Sequence, residues 1–202
     1  MKKAWNAILT ILALAFLVAY SYPAFVLEVD PSTQQVLELT QWVSWLAFAI
    51  DLAFNLAKAK DRIDFLKHHP LEVLAVALPM FRPLRLLRFL SIGSVVVAKV
   101  NMARSVGITL KVAVISLFLT YIAAVQITVT ERVFENGNIK TFSDGFWWAI
   151  TTITTVGYGD RFPVSTGGRF IAFGLMVVGI SLIGVITASV AAWFVRMMQD
   201  EN

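Results

Sequence analysis

Seven consecutive residues, Thr154-Thr155-Val156-Gly157-Tyr158-Gly159-Asp160, offer the clearest chemistry in the chain, and they offer it through backbone. A dehydrated potassium ion needs a cage of weak, neutral oxygen ligands, which consecutive carbonyls supply if they face a common axis. Carbonyls on one side demand unusual backbone angles. Gly157 and Gly159 permit positive φ without a Cβ penalty. Alternating them with Val156 and Tyr158 sends side chains one way and the carbonyls of Thr155, Val156, Gly157 and Tyr158 the other. The Thr155 hydroxyl adds an oxygen at one mouth. One chain supplies one wall, so four copies are expected around an ion. Gly-Tyr-Gly alone is also an ordinary turn, but here it lies inside a longer motif, after a short apolar segment and between two long apolar runs.

Those runs must position the motif, and composition says in what medium. Of 202 residues, 58% are hydrophobic and 15% charged, against about 45–50% and 25% in soluble domains. A bilayer span takes about 20 residues, so the chain has room for roughly six or seven spans and no sizeable soluble domain. Cysteine is absent, and the two histidines, His68 and His69, lack a third metal ligand nearby. The formal charge of +4 sits in basic clusters between apolar runs, which topology explains better than nucleic acid does.

The expected fold is all-α, with six transmembrane helices. Ala4 to Leu27 follows Lys2 and Lys3 and reads as a first span with a cytoplasmic N-terminus. A cleavable signal peptide is the rival reading, although the apolar stretch exceeds the usual signal core. Leu39 to Ala57 carries one charge, Asp51, and ends in the basic cluster Lys58, Lys60, Arg62, Lys67. A third helix is expected to start near Ile63, with Lys67, His68, His69 and Glu72 toward its inner end. Arg82 to about Asn101, Val112 to Thr130 and Phe170 to Val195 supply helices four to six. Gly145 to Gly159 is too short to cross and reads as a re-entrant segment buried in protein. Both chain ends are then cytoplasmic.

The filter motif, its position and the flanking hydropathy resemble the potassium channel family. By that resemblance Phe146, Trp147 and Trp148 form an aromatic cuff around Tyr158, and Trp147 hydrogen-bonds Asp160 just outside the filter. Interfacial anchoring is the other use of such tryptophans. Thr151 stands where some relatives carry a buried acid. In the last span Gly174, Gly179 and Gly184 serve either close helix packing or bending, with Gly179 matching the family's gating hinge.

Arg82, Arg85 and Arg88 recur every third residue in the fourth span. Intramembrane arginines are costly, and this spacing beside a pore resembles the sensor helix of six-helix bacterial voltage-gated potassium channels. Asp51 and Glu72 are the implied partners, with Phe48 as the aromatic cap of a charge-transfer site. The triplet series continues as Ser91, Ser94 and Val97, and Gln41 and Asn55 replace charged residues of the family pattern. A static role, with the arginines anchored in headgroups or paired with Asp51 and Glu72, is the alternative.

The expectation is therefore a homotetrameric, potassium-selective channel of the cell membrane, surrounded by lipid, weakly voltage-gated or else constitutive or lipid-gated. Residues 1–100 would form the sensor-like domain and 101–202 the pore. Potassium is expected as the permeant species, with no cofactor. Only Met197 to Asn202 follow Arg196, so no cytoplasmic ligand-binding domain is expected. A transporter would need an internal repeat, and an enzyme a nucleophile with its base or a metal cluster. Neither pattern is present in the sequence.

Overall fold

The computed structural model describes residues 2–59, 61–68, 73, 76 and 104–200, and the chain divides into two compact units, 1–89 and 90–202. All regular structure among the described residues is helical. In the first unit, α1 (Lys2–Phe25) and α2 (Pro31–Lys58) run antiparallel. Three polar bonds set their register. Trp5 Nε1 donates to Asp51 Oδ1 at 2.7 Å, Ser44 Oγ to the Leu12 carbonyl at 3.2 Å, and Gln41 Nε2 to the Ala19 carbonyl at 3.4 Å. Between these bonds Leu9, Ala13 and Phe48 are buried together.

The second helix starts about two turns before the expected Leu39. Asp30 is the reason: its carboxylate accepts the Thr33 N–H at 2.9 Å and the Ser32 hydroxyl, and Pro31 supplies a preset φ at the first helical position. Hydrogen bonds from the Ser32 hydroxyl and then Thr33 hold the Asp30 carboxyl well below the usual carboxylate range. A capped start outweighs the polar residues Ser32 to Gln35, which hydropathy alone assigns to a loop. Helix α3 (Arg62–His68) begins where expected, with Asp61 accepting the Ile63 and Asp64 N–H groups. Glu72, His69, Arg82, Arg85 and Arg88 lie outside the described residues.

The second unit contains α4 (Arg104–Glu131), α5 (Phe142–Ile153) and α6 (Thr166–Asp200), each packed on the other two. Ala124, Ile127, Ile139, Trp148, Ala149 and Leu175 form its buried centre. Among the described residues, four helical stretches are long and apolar enough to cross a membrane: Ala7–Phe25, Pro31–Lys58, Val112–Glu131 and Thr166–Gln199. With 12 residues, α5 spans about 18 Å against a hydrocarbon core of about 30 Å, so it cannot cross.

Small residues let α5 sit this close to α4. A Cβ on Gly145 would overlap the Thr128 hydroxyl and approach the Ala124 carbonyl at 2.8 Å. The Thr128 hydroxyl is itself fixed, donating to the Ala124 carbonyl at 2.7 Å. Gly184, in contrast, faces open space within its own chain. Gly145→Ala should therefore cost about 1–3 kcal/mol through overpacking, while Gly184→Ala should be near neutral. Thermal unfolding of the two variants in detergent, followed by circular dichroism, compares them directly, and equal stabilities would refute this packing account.

Candidate functional site

The site is built from the two ends of α5. At its start, Thr141 and Asp144 form a capping box: the Asp144 N–H donates to Thr141 Oγ1 at 3.3 Å, and Asp144 Oδ2 accepts the Thr141 N–H at 3.0 Å and the Lys140 N–H at 3.1 Å. Arg161, just beyond the filter motif, pairs with Asp144 Oδ1 at 2.9 Å. Burial opposes ionisation of Asp144, but the Thr141 and Lys140 N–H groups, the Thr141 hydroxyl and the Arg161 charge outweigh it. Together they hold the carboxyl below the usual range.

At the far end the helix turns into the segment 154–160 that the sequence singles out. Thr154 is the C-cap, and the Thr151 carbonyl, left without a helical partner, accepts the N–H groups of both Val156 (2.9 Å) and Gly157 (3.0 Å). From there φ is positive at every second residue: 60° at Thr155, 55° at Gly157 and 80° at Gly159. A Cβ on Gly157 or Gly159 would meet no atom of its own chain, so glycine is needed there for backbone angle rather than space. Thr155 adopts the same region as a β-branched residue, at a cost on the order of 1–3 kcal/mol. Sequence reasoning found the two glycines and missed this third member, because threonine gives no conformational signal. Among the described residues, no N–H or O–H donates to the carbonyls of Thr155, Val156, Gly157 or Tyr158. The segment is exposed along its length, with Tyr158 69% accessible.

The end of the segment near Asp160 is held by side chains. Trp147 stacks on Tyr158 with ring centroids 5.7 Å apart and donates its indole N–H to Asp160 Oδ2 at 2.8 Å. Trp148 points into the helix core instead, 4% exposed, and Phe146 stacks on Phe142. Thr151 is buried, and its hydroxyl donates to the Trp148 carbonyl at 3.0 Å. The buried acid of this region is Glu131, at the last residue of α4, fully buried and accepting the Val164 and Ser165 N–H groups and the Ser165 hydroxyl. Gly168 makes room for it, since a Cβ there would overlap the carboxylate. The sequence reading passed over Glu131 as the end of an apolar run, and the Thr141-x-x-Asp144 pattern was the signal available for the cap.

Gly179 packs its backbone on the Ile153 carbonyl, where a Cβ would overlap, and α6 continues through it as one helix. In the first unit, Phe48 fills the α1–α2 contact and Asp51 receives the Trp5 indole N–H. The structure thus brings Thr155–Gly159, Trp147 and Asp160 together, and places Phe48 and Asp51 one turn apart on α2.

A family profile described as ion channel matches residues 114–196, covering α5, the filter segment and most of α4 and α6. Similar proteins include a calcium-gated potassium channel of Thermoplasma volcanium, 41% identical over 34% of this chain and 20% of the relative. A voltage-gated potassium channel of Aeropyrum pernix is 36% identical over 39% of this chain and 26% of its own length. The chain carries an ion-channel domain and is similar to prokaryotic potassium channels. A cyclic nucleotide-gated potassium channel of Mesorhizobium japonicum extends the similarity to 75% of this chain, at 30% identity and over 47% of the relative. The chain spans between a fifth and a half of the length of these relatives. The ion-channel domain, with the apolar helices, marks a multi-pass membrane protein.

Asp144 gives this channel chain a defined acid response. Its folded pKa is depressed, so its contribution to stability is complete above the unfolded value of about 3.9 and is lost as pH falls through the lower folded value. The unfolding midpoint of the protein should drop below about pH 4, and Asp144→Asn should remove part of that slope while costing about 1–2 kcal/mol at neutral pH. Melting curves across the acid range provide the check. An unchanged slope in the variant would show that the carboxylate is not held as described.

Proposed function

We propose that four copies of this chain form a potassium-selective channel in a cell membrane, with weak voltage dependence. The carrying observation is the run of four exposed carbonyls, Thr155 to Tyr158, without a donor, on a backbone whose φ is positive at alternate residues. Neutral oxygens so arranged suit a dehydrated potassium ion, and a fourfold axis completes the cage that one chain leaves open. Glycines at 157 and 159 and the Trp147–Asp160 bond would hold its diameter. Relatives named as potassium channels support the choice of ion.

On this reading potassium is the permeant species and no cofactor or nucleic acid takes part. Residues 101–202 form the pore and residues 1–100 a sensor-like domain, giving six crossings, lipid contact around the bundle and both termini in the cytoplasm. Gly179 would serve α6 as both packing point and hinge. Arg82, Arg85 and Arg88 would carry gating charge past Phe48, Asp51 and Glu72. A second reading, a constitutive or lipid-gated channel, is favoured by the Asp51 carboxylate already accepting the Trp5 indole N–H.

Liposomes containing the purified protein should take up potassium and rubidium and exclude sodium. Gly157→Ala should abolish selective flux, because alanine resists the φ of 55° that the segment requires. Equal sodium and potassium fluxes through the unmutated protein would end the proposal.

Voltage dependence has an upper bound. One charge crossing the full field is worth about 2.3 kcal/mol per 100 mV, so three arginines in each of four subunits supply at most about 28 kcal/mol. The open-probability curve in planar bilayers should be shallow, and Arg85→Gln or Arg88→Gln should flatten or shift it. A curve independent of voltage, or unmoved by triple Gln substitution, selects the constitutive reading.

A further inference from the structure

The loop between α4 and α5 reaches back to the segment just beyond the filter through one side chain. Asn138 Nδ2 donates to the Asp160 carbonyl at 2.9 Å, while Asn138 Oδ1 accepts the Phe162 N–H at 3.1 Å. This pattern fixes the orientation of the amide, since the reverse would set oxygen against oxygen and N–H against N–H. The Asn138 carbonyl in turn accepts from Arg161 Nη1 at 2.6 Å, so three successive residues, 160 to 162, are tied to one residue of the loop.

Asn138 is well placed to act as an anchor. Its neighbours Gly137 and Ile139 are buried, Ile139 completely, and the Gly137 N–H closes a turn on the Phe134 carbonyl at 3.0 Å. Lys140 Nζ donates to the Arg132 and Phe134 carbonyls, so both sides of Asn138 are pinned to the end of α4. Asp160, meanwhile, is the residue whose carboxylate receives the Trp147 indole, and Trp147 stacks on Tyr158. A change in the backbone at Asp160 is therefore felt one residue from Gly159 and two from the Tyr158 carbonyl.

We propose that Asn138 is a positioning residue for conduction: its carboxamide brackets the Asp160 carbonyl and the Phe162 N–H and holds the outer end of Thr155–Gly159 in its conducting path. The proposal rests on the reading of that segment as a potassium filter and adds a residue to it that lies outside the filter motif and the pore helix.

The bracket needs one donor and one acceptor, which suggests a test by acid rescue. In Asn138→Ala both bonds are lost. In Asn138→Asp the ionised carboxylate cannot donate and faces the Asp160 carbonyl, but the protonated acid restores the amide's pattern of one donor and one acceptor. An ordinary aspartate titrates near 3.9, and a carbonyl facing it raises that value. The charged groups around the site include Asp160, Arg161, Asp144, Lys140, Arg132, Glu131 and Glu135, all shared by the parent protein, which is therefore recorded at both pH values as the reference.

Single-channel recordings in symmetrical potassium at pH about 7.5 and about 4 supply the readout. At neutral pH both variants should show conducting bursts about ten-fold shorter than the parent, as expected for the loss of one to two hydrogen bonds. Acid should lengthen the bursts of Asn138→Asp relative to the parent and leave those of Asn138→Ala short. Parent-like bursts in either variant at neutral pH would overturn the proposal, as would an Asn138→Asp channel with no acid recovery beyond that of Asn138→Ala. If Asn138→Ala does not assemble, Asn138→Asp reconstituted at acid pH carries the test, and its failure to conduct there overturns the proposal. A parent protein that passes no potassium would refute the channel reading itself, a result distinct from all of these.

Discussion

A run of carbonyls can be left without donors only if the neighbouring N–H groups are turned elsewhere, and here one oxygen takes two of them. The Thr151 carbonyl, freed by the end of α5, accepts the N–H groups of Val156 and Gly157. This bond pair reverses the chain, places Thr155 in the left-handed region and leaves the next four carbonyls without donors. A buried helix end must find partners for its last carbonyls. This one finds them in the segment that follows, so the end of the helix and residues 155–159 stabilise each other.

The remaining polar bonds of the second unit keep that reversal from unwinding. Glu131 ties the end of α4 to the turn before α6, and the Asp144–Arg161 pair links the start of α5 to the segment after Gly159. Trp147 does the same from the middle of α5. All four helix-proximal segments are joined near one end of the unit, while the opposite end of α6 is apolar and exposed in the single chain. The division is physical: carboxylates and amides hold geometry where the backbone is irregular, and close apolar packing suffices where it is helical.

Much of this was legible in the sequence. The four membrane-length helices among the described residues follow from apolar runs, and the positive φ at residues 157 and 159 from their glycines, because glycine at alternate positions is a direct statement about φ. The early start of α2 was missed because a cap acts through one carboxylate and leaves no trace in hydropathy. Glu131, Asn138 and Arg161 were missed for a related reason. Each acts on residues at least 17 positions away, and neither periodicity nor local spacing encodes such a bond. The sensor reading came from spacing and resemblance alone, and of its residues only Phe48 and Asp51 lie among those described.

The contact at Gly179 carries a mechanical consequence. There α6 touches the Ile153 carbonyl backbone to backbone, with no side chain between them. A side chain cushions displacement by changing rotamer, whereas two main chains in contact have no such slack. A lateral shift of α6 at that level must either push the last turn of α5 or separate from it. Ile153 lies two residues before Thr155, so the long helix bears directly on the turn from which residues 155–159 leave α5.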